Sequence, residues 1–300
     1  MEPAFFRAWA PRSQGLAKIA LAATLWSSSG LFIKLLPQGA ATLAFWRSLV
    51  AALTITGIRA LQGRRPRFHA TRLELLGALC YSAVLICFVA ATKLTTAANA
   101  IFLQFTAPIY LLVLEPLVLG TRLQRQDLWA LLACLGGMAL FFREGLGGGA
   151  LLGNLLGIAS GISLALVSLL IKVQRSRDAS RDPAQIVWLG NGLVALLCIP
   201  WAFPSMGFAP AHTAALAYLG IFQIGIAYLL FTSGLRLVSA TAAMITSILE
   251  AVLNPIWVFL GTGERPSGSA LAGAVVVVAV LAWYTLAHTE TRTAPPEPVA

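Results

Sequence analysis

The chain has 300 residues, of which 58% are hydrophobic and only 11% are charged. Soluble domains carry about a quarter charged residues, so most side chains of this chain cannot face water. The composition excludes an ordinary soluble protein, and the formal charge of +10 has to be explained within a membrane topology.

Long apolar runs fill most of the sequence. A bilayer core about 30 Å thick needs about 20 mostly apolar residues in a helix, and on this basis we expect ten membrane spans. In chain order they are Gly15–Leu36, Ala41–Leu61, Arg72–Thr92, Ala97–Leu119, Asp127–Phe142, Ala150–Val173, Pro183–Phe203, Thr213–Leu235, Ser239–Leu260 and Ser269–His288. The runs do not alternate polar and apolar residues as a β-barrel requires. The expected fold class is an all-α integral membrane protein.

Basic residues concentrate on one side of this topology. With the N-terminus in the cytoplasm, sixteen Lys and Arg lie on the cytoplasmic side and four, Lys34, Lys93, Arg143 and Arg265, on the other. Cytoplasmic loops carry an excess of Lys and Arg, so both termini are predicted to lie in the cytoplasm. The expected membrane is a bacterial inner membrane. Orientation then accounts for the positive charge without a nucleic-acid partner. Residues 289–300, rich in Pro and Thr, are predicted to form a disordered cytoplasmic tail.

The two halves of the chain resemble each other weakly. Ala91–Ala98 aligns with Gly234–Thr241, each a basic residue followed by hydroxyl residues between two spans. Phe32–Lys34 likewise resembles Leu170–Lys172 at the ends of spans one and six. Each half then holds five spans, and an odd number forces the halves into opposite orientations. Inverted repeats around a site at mid-membrane are typical of transporters.

Several short motifs follow one another in a fixed order along the two predicted repeats, residues 15–143 and 150–288. They are Leu25–Gly30 in span one, Phe45–Arg47 in span two, Ala107–Pro108 and Gly120–Leu123 around span four, and Leu249–Glu250 and Gly263–Arg265 around span nine. In order and spacing the sequence resembles the drug/metabolite transporter superfamily, EamA type, although Thr121 stands where that pattern often has Glu.

The resemblance covers roughly residues 15–286. It implies ten transmembrane helices as two inverted five-helix repeats around a central cavity, with spans one to four and six to nine lining the cavity and spans five and ten outside. More distantly, the chain is similar to amino-acid exporters of the YddG type.

Two charged residues fall well inside the predicted spans. Glu250 lies near the middle of span nine, where a charge is usually functional; it could meet a substrate ammonium or exchange a proton, or serve as a structural partner of Arg47. Arg47 could bind a substrate carboxylate, but the favoured interpretation is that it snorkels or fixes helix packing. Glu115 is expected at the membrane interface.

Aromatic and polar residues inside the spans are candidates to line a cavity, since stacking surfaces with a few hydrogen-bonding groups suit an amphipathic solute. With Glu250, the substrate-binding candidates are Trp26, Tyr81, Phe102, Gln104, Trp188, Asn191, Gln223 and Tyr228. Each is also compatible with a core or lipid-facing position. Pro108 and Pro255 fall inside spans four and nine and are predicted to kink them, either as gating hinges or as static bends.

Sequence signals of catalysis, metal binding and nucleotide binding are missing, so we expect no catalytic residues, metal or cofactor. The predicted function is secondary transport of a small organic solute by alternating access. Export of amino acids, aromatic ones among them, or of related metabolites is favoured by the resemblance. An importer of a small metabolite, an intramembrane enzyme and a non-transporting scaffold are the alternatives. The expected partners are a small-molecule substrate and the lipid bilayer, and a monomer suffices for this function.

Overall fold

A computed structural model describes residues 10–63, 69–95, 97–122, 124–142, 151–203, 209–262 and 268–290. In these ranges the chain forms helices and turns, without a strand. The α-helices are α1 (Pro11–Trp26), α2 (Ser29–Leu35), α3 (Ala40–Leu61), α4 (Arg72–Leu94), α5 (Ala97–Gln104), α6 (Ala107–Leu119), α7 (Arg125–Phe142), α8 (Leu151–Arg177), α9 (Ala184–Cys198), α10 (Pro210–Tyr218), α11 (Ala227–Leu235), α12 (Ala240–Ser247), α13 (Leu249–Thr262) and α14 (Gly268–Glu290). A 3₁₀-helix, Ile199–Trp201, follows α9, and a π-helix, Leu219–Ile226, joins α10 to α11.

Seven helical segments in the described ranges are long and apolar enough to cross a membrane. They are Pro11–Leu35, Ala40–Leu61, Arg72–Leu94, Asn99–Leu119, Leu151–Arg177, Ala184–Trp201 and Pro210–Leu235, and two shorter apolar segments are Ala240–Asn254 and Leu271–Tyr284. Large apolar side chains lie exposed on their outer faces, among them Leu117, which is 76% exposed, and Val275, which is 68% exposed. Such surfaces suit lipid contact. The all-α membrane fold is confirmed, while the count of ten spans stays a prediction.

Helix α4 lies at the centre of the bundle, where it packs against α8, α9 and α3. Helices α7 and α14 pack mainly against each other at the side of the bundle. Tyr284 of α14 donates a hydrogen bond of 2.6 Å to Asp127 of α7. Helices α7 and α14 therefore form a layer outside the helices that enclose the interior.

Three of the long segments and the shorter segment that begins at Ala240 are interrupted beside the interior. Ser27 and Ser28 separate α1 from α2, Phe105 and Thr106 separate α5 from α6, and Ile248 separates α12 from α13. The fourth interruption is the π-helix. Broken backbone inside a membrane needs other partners for its polar groups; here Asn254 Nδ2 donates to the Ser27 carbonyl at 2.7 Å.

The span that holds Pro108 is interrupted in the turn before this residue. Pro108 lies in the first turn of α6, after the N-cap residue Thr106. A proline cannot donate to the carbonyl four residues before it and its ring clashes with that carbonyl, so Pro108 disfavours a continuous helix across Phe105 and Thr106. The choice between a gating hinge and a static bend stays a prediction. Pro255 lies inside α13, but the break in that span falls at Ile248 and the Pro255 side chain is outside the described part.

The two halves share one contact at aligned positions. Lys34 Nζ donates to the Thr95 carbonyl at 2.8 Å, and Lys172 Nζ donates to the Val238 carbonyl at 2.5 Å. The alignment of the halves pairs Lys34 with Lys172 and Thr95 with Val238. The contact therefore follows the repeat expected from the sequence, although the inverted relation of the halves stays a prediction.

The C-terminal helix extends beyond its predicted end. Helix α14 continues to Glu290, two residues into the tail expected from residue 289. The rest of that predicted tail, residues 291–300, lies outside the described residues.

Candidate functional site

A small cavity lies inside the bundle, next to the helix interruptions. Its lining comes from helices of both halves and from neither α7 nor α14: Trp26, Arg47, Val84, Leu85, Phe88, Gln104, Phe105, Leu164, Gln223, Ile224, Tyr228, Ser247 and Glu250. The space open to the centres of water molecules is about 30 Å³. A single water needs about 10–15 Å³ on this measure, so the cavity has room for two or three waters. This conformation is too tight for an organic solute.

Arg47 and Glu250 are the two charged residues of the lining. The side chains are almost fully buried, with 2% of Arg47 and 5% of Glu250 exposed. Among the described contacts no ion pair joins them. The cavity thus holds a basic and an acidic side chain that do not contact each other.

Arg47 makes one hydrogen bond to a described residue. Its Nη2 donates to Gln223 Oε1 at 2.8 Å, whereas its Nε and Nη1 are buried without a partner in the described ranges. Gln223 lies on the π-helix, and π-turns occur often at functional sites. Gly220 on the same segment allows this approach, because a Cβ there would clash with Val50 of α3.

Aromatic rings form one wall of the cavity. The Trp26 ring centroid lies 4.7 Å from that of Tyr228 and 5.2 Å from that of Phe231. Tyr81 supports Tyr228 from behind, with centroids 4.7 Å apart, and its hydroxyl accepts a hydrogen bond from Asn191 Nδ2 at 3.2 Å. Trp26 Nε1 is buried without a hydrogen-bond partner among the described residues.

The nine substrate-binding candidates divide into two groups. Five of them line the cavity, namely Trp26, Gln104, Gln223, Tyr228 and Glu250. Four lie outside its lining: Tyr81 and Asn191 sit behind Tyr228, Phe102 is half-buried elsewhere on α5, and Trp188 donates to Thr56 Oγ1 at 2.9 Å. The direct role in substrate binding stays a prediction for all nine.

Other lining residues were not among those candidates. Phe88 follows Tyr81 by two helical turns on α4, so the periodicity of the helix could have identified it. Ser247 aligns with Gln104 between the halves, and both line the cavity. The sequence favours snorkelling or helix packing for Arg47 over substrate binding, because an arginine two turns from a span end can reach the interface. Its burial inside the bundle overturns the snorkelling interpretation.

Glu115, for which the sequence predicts an interfacial position, is buried within the protein. It is 2% exposed and accepts hydrogen bonds from the backbone amides of Ala240 at 2.9 Å and Thr241 at 2.8 Å. The carboxylate thus caps the N-terminus of α12, where orphan amides and the helix dipole favour a negative charge. Glu115 joins the two halves by this contact.

Ion pairs close the bundle at one end, which we call the Asp182 end. Asp182 lies 3.4 Å from Arg59 Nη1 and 2.9 Å from Arg236 Nη2. Beside it, Arg181 Nη1 lies 3.3 Å from Glu74 Oε2. Because Arg59 and Glu74 belong to the first half of the chain, these pairs hold the halves together.

At the opposite end, which we call the Lys93 end, donors meet backbone carbonyls. Lys93 Nζ donates to the Leu36 carbonyl at 2.5 Å, and Lys34 contacts Thr95 as described above. Leu36 and Thr95 are the C-cap residues of α2 and α4, so each lysine caps the helix of the other. Trp46 Nε1 donates to the Ala202 carbonyl at 2.7 Å. These contacts hold the helix ends together at the Lys93 end.

The helical bundle and its enclosed cavity define the class as a polytopic α-helical membrane protein. The model of the EamA-like transporter family matches residues 13–143 and 151–286, most of the chain. The chain belongs to this family, and with it to the drug/metabolite transporter superfamily. It is an integral membrane transporter and not an enzyme.

Curated relatives are similar over most of their length. An uncharacterized transporter of Archaeoglobus fulgidus is 25% identical over 274 residues, covering 90% of this chain and 96% of the relative. The uncharacterized transporter YwfM of Bacillus subtilis is 26% identical over 285 residues, covering 92% and 95%. The pseudopaline exporter CntI of Pseudomonas aeruginosa is 23% identical over 241 residues, covering 80% and 84%.

A solved crystal structure shares the fold. It superposes with a TM-score of 0.75 at 18% sequence identity, covering 94% of this chain and 99% of that one. The narrower likeness to YddG-type exporters stays a prediction, as does the cytoplasmic position of both termini.

Proposed function

We propose that the protein is a secondary transporter that exports amino acids or closely related metabolites through the cavity between Arg47 and Glu250. One observation carries the proposal: a buried guanidinium group and a buried carboxyl group line the same aromatic-walled cavity without forming an ion pair. An amino acid at neutral pH carries a carboxylate and an ammonium group. Such a solute supplies a counter-charge to each residue.

Glu250 is the group proposed to meet the ammonium. No described residue donates a hydrogen bond to its carboxylate, and it is not among the buried side-chain oxygens left without a partner, so its oxygens reach the cavity space. Ionisable residues inside membranes mark substrate or proton pathways. The rings of Trp26 and Tyr228 lie beside it and suit the apolar part of a solute.

Alternating access follows from the closure at both ends. The cavity is too small for a solute in this conformation, so substrate must enter and leave through states in which one end has opened. The Asp182 end and the Lys93 end are held by separate sets of contacts, which allows one to open while the other stays closed. Export is the favoured direction because CntI, similar over 80% of this chain, is named an exporter; import through the same cavity is the alternative.

The test is transport by purified protein in liposomes loaded with labelled amino acids, with and without imposed proton and sodium gradients. Glu250→Gln keeps the size of the side chain and removes its charge, and we expect it to lose most transport while its thermal unfolding stays near the parental temperature. Asp178→Asn is the matched control, because that carboxylate is 46% exposed and lies at the Asp182 end. A Glu250→Gln variant that transports at the parental rate would remove Glu250 from the mechanism.

A further inference from the structure

Arg47 differs from other arginines of the bundle in what it faces. Arg59, Arg181 and Arg236 each lie within 3.4 Å of a carboxylate oxygen. Arg47 is 2% exposed, yet its one hydrogen bond from a described atom goes to the neutral amide oxygen of Gln223. A buried charged donor without a partner is destabilising, by more than a neutral one. A purely structural arginine would be expected to have a counter-charge, as the other three do.

The free part of the guanidinium has the geometry that a carboxylate needs. A guanidinium has two edges that donate two parallel N–H bonds, one formed by Nε and Nη2 and one by Nη1 and Nη2, and each edge uses a different hydrogen of Nη2. Gln223 accepts from Nη2 and therefore occupies one edge at most. Because Nε and Nη1 have no partner in the described ranges, one complete edge is left for a bidentate acceptor.

A second unpartnered donor lines the same cavity. Trp26 Nε1 is buried without an acceptor among the described residues, and the Trp26 side chain is 5% exposed. Indole offers a donor and no acceptor. Two buried donors, from α1 and α3, thus belong to residues that line a cavity in which Glu250 is the charged acceptor.

From these contacts we infer that Arg47, together with Trp26 Nε1, binds the carboxylate of the transported solute, with Gln223 as a positioning residue that holds the guanidinium. The substrate class is a zwitterion with one carboxylate and one ammonium. A dianion such as a phosphate monoester would place excess negative charge near Glu250. This inference rests on the proposed function for the site, but it predicts a specificity that transport alone does not require.

The experiment compares four ligands that share one apolar group, of which the first three also share a charged amine. L-phenylalanine has the carboxylate, L-phenylalaninamide replaces it with a neutral amide, and 2-phenylethylamine lacks it. N-acetyl-L-phenylalanine keeps the carboxylate and lacks the charged amine. Binding to the purified full chain is measured by calorimetry and by the ligand-dependent shift in thermal unfolding. The parent is expected to bind L-phenylalanine about tenfold or more tighter than the amide.

Two substitutions of Arg47 separate its charge from its geometry. The acid-to-amide ratio is the affinity for L-phenylalanine divided by that for L-phenylalaninamide. Arg47→Gln should reduce this ratio to near one. Arg47→Lys should retain part of it, because lysine keeps the charge but cannot donate two parallel bonds. If Arg47 had only a structural role, its replacement would lower the stability of the protein and weaken the binding of all ligands equally, and the ratio would stay unchanged. An unchanged ratio in Arg47→Gln would overturn the inference.

Trp26→Phe keeps the test open if Arg47 variants do not fold. It retains an aromatic ring and removes Nε1, so the acid-to-amide ratio should fall by a smaller factor. Trp129→Phe is the matched control, since Trp129 is 65% exposed on α7 and its replacement should leave the ratio unchanged. Equal ratios in the parent and Trp26→Phe, with Arg47 variants unfolded, would contradict the inference.

The outcome for the inference is distinct from that for the proposed function. If the liposomes transport no amino acid but L-phenylalanine binds tighter than L-phenylalaninamide through Arg47 and tighter than N-acetyl-L-phenylalanine, the inference stands and the proposed function fails. If L-phenylalanine is transported and the parent binds the acid, the amide and the amine alike, the proposed function stands and the inference fails.

Discussion

The two ends of the bundle are closed by different chemistry. At the Asp182 end, carboxylates and guanidinium groups form ion pairs, and Arg59 in this cluster is only 7% exposed. At the Lys93 end, Lys34 and Lys93 donate to backbone carbonyls at helix C-termini. Removing one member of a buried ion pair leaves an uncompensated charge, whereas a carbonyl that loses a lysine can bind water. The Asp182 end is therefore the more cooperative closure.

The largest expected effect concerns which end faces the cytoplasm. Single cysteines at Ala179 and Gly39 in a cysteine-free background sample the Asp182 and Lys93 ends; both positions are exposed, and a Cβ at Gly39 meets nothing within 4 Å. An impermeant thiol reagent added to whole cells should label Gly39→Cys and not Ala179→Cys, because basic residues concentrate at the Asp182 end. The reverse pattern would invert the assignment.

A large effect is also expected from Asp182→Asn, which removes the charge shared by Arg59 and Arg236. Losing one partner of a buried pair costs about 3–5 kcal/mol, and the 23% exposure of Asp182 favours the lower value. Thermal unfolding should fall, and a cysteine at Thr232, which lines the cleft at this end, should react faster. Parental values for both would show that the cluster does not hold the closure.

Glu74→Gln should have an intermediate effect. Glu74 accepts from the Thr71 amide at 2.7 Å and from Gln174 at 2.8 Å, and it faces Arg181. Glutamine keeps one acceptor oxygen, which can maintain the capping box, but it loses the charge that faces Arg181 and the second acceptor oxygen, so we expect a loss of about 1–3 kcal/mol. A double-mutant cycle with Arg181→Met isolates the ion pair. If the stability losses of Glu74→Gln and Arg181→Met simply add in the double variant, the ion pair contributes nothing and Glu74 acts as a helix cap alone.

The smallest effect is expected at the Lys93 end. Lys93→Met keeps the apolar stem and removes one donor to the Leu36 carbonyl, which should cost about 0.5–1.5 kcal/mol. Lys34→Met removes the reciprocal contact and should cost a similar amount, measured by the same unfolding assay. A loss as large as that of Asp182→Asn would make the two ends equivalent.

Span positions could be predicted from the sequence because they depend on length and hydropathy alone. Helices α3 and α4, for example, begin and end within two residues of the predicted spans. The interruptions could not be predicted, because they depend on partners from distant segments, as when Asn254 supplies the hydrogen bond for the Ser27 carbonyl. Pro108 alone marked the region of one interruption, because its ring disfavours a continuous helix in the preceding turn.

The site was only partly predictable. The choice of aromatic and polar residues inside the spans identified five lining residues, since few other positions combine such side chains with a mid-span location. The face each residue presents depends on how the helices pack, which placed Tyr81 and Asn191 behind the lining. Glu115 shows the limit most clearly, because its role requires knowing that the N-terminus of α12 lies against α6.

The π-helix at Leu219–Ile226 has a consequence for how this chain tolerates length changes. Each residue of an α-helix turns the chain by about 100°, and a π-turn holds one residue more than an α-turn. Deleting one residue here would allow a regular α-helix, but it would rotate Tyr228 relative to Gln223 and carry one of them away from the cavity. A single-residue deletion in this segment should therefore abolish solute binding while the helix persists.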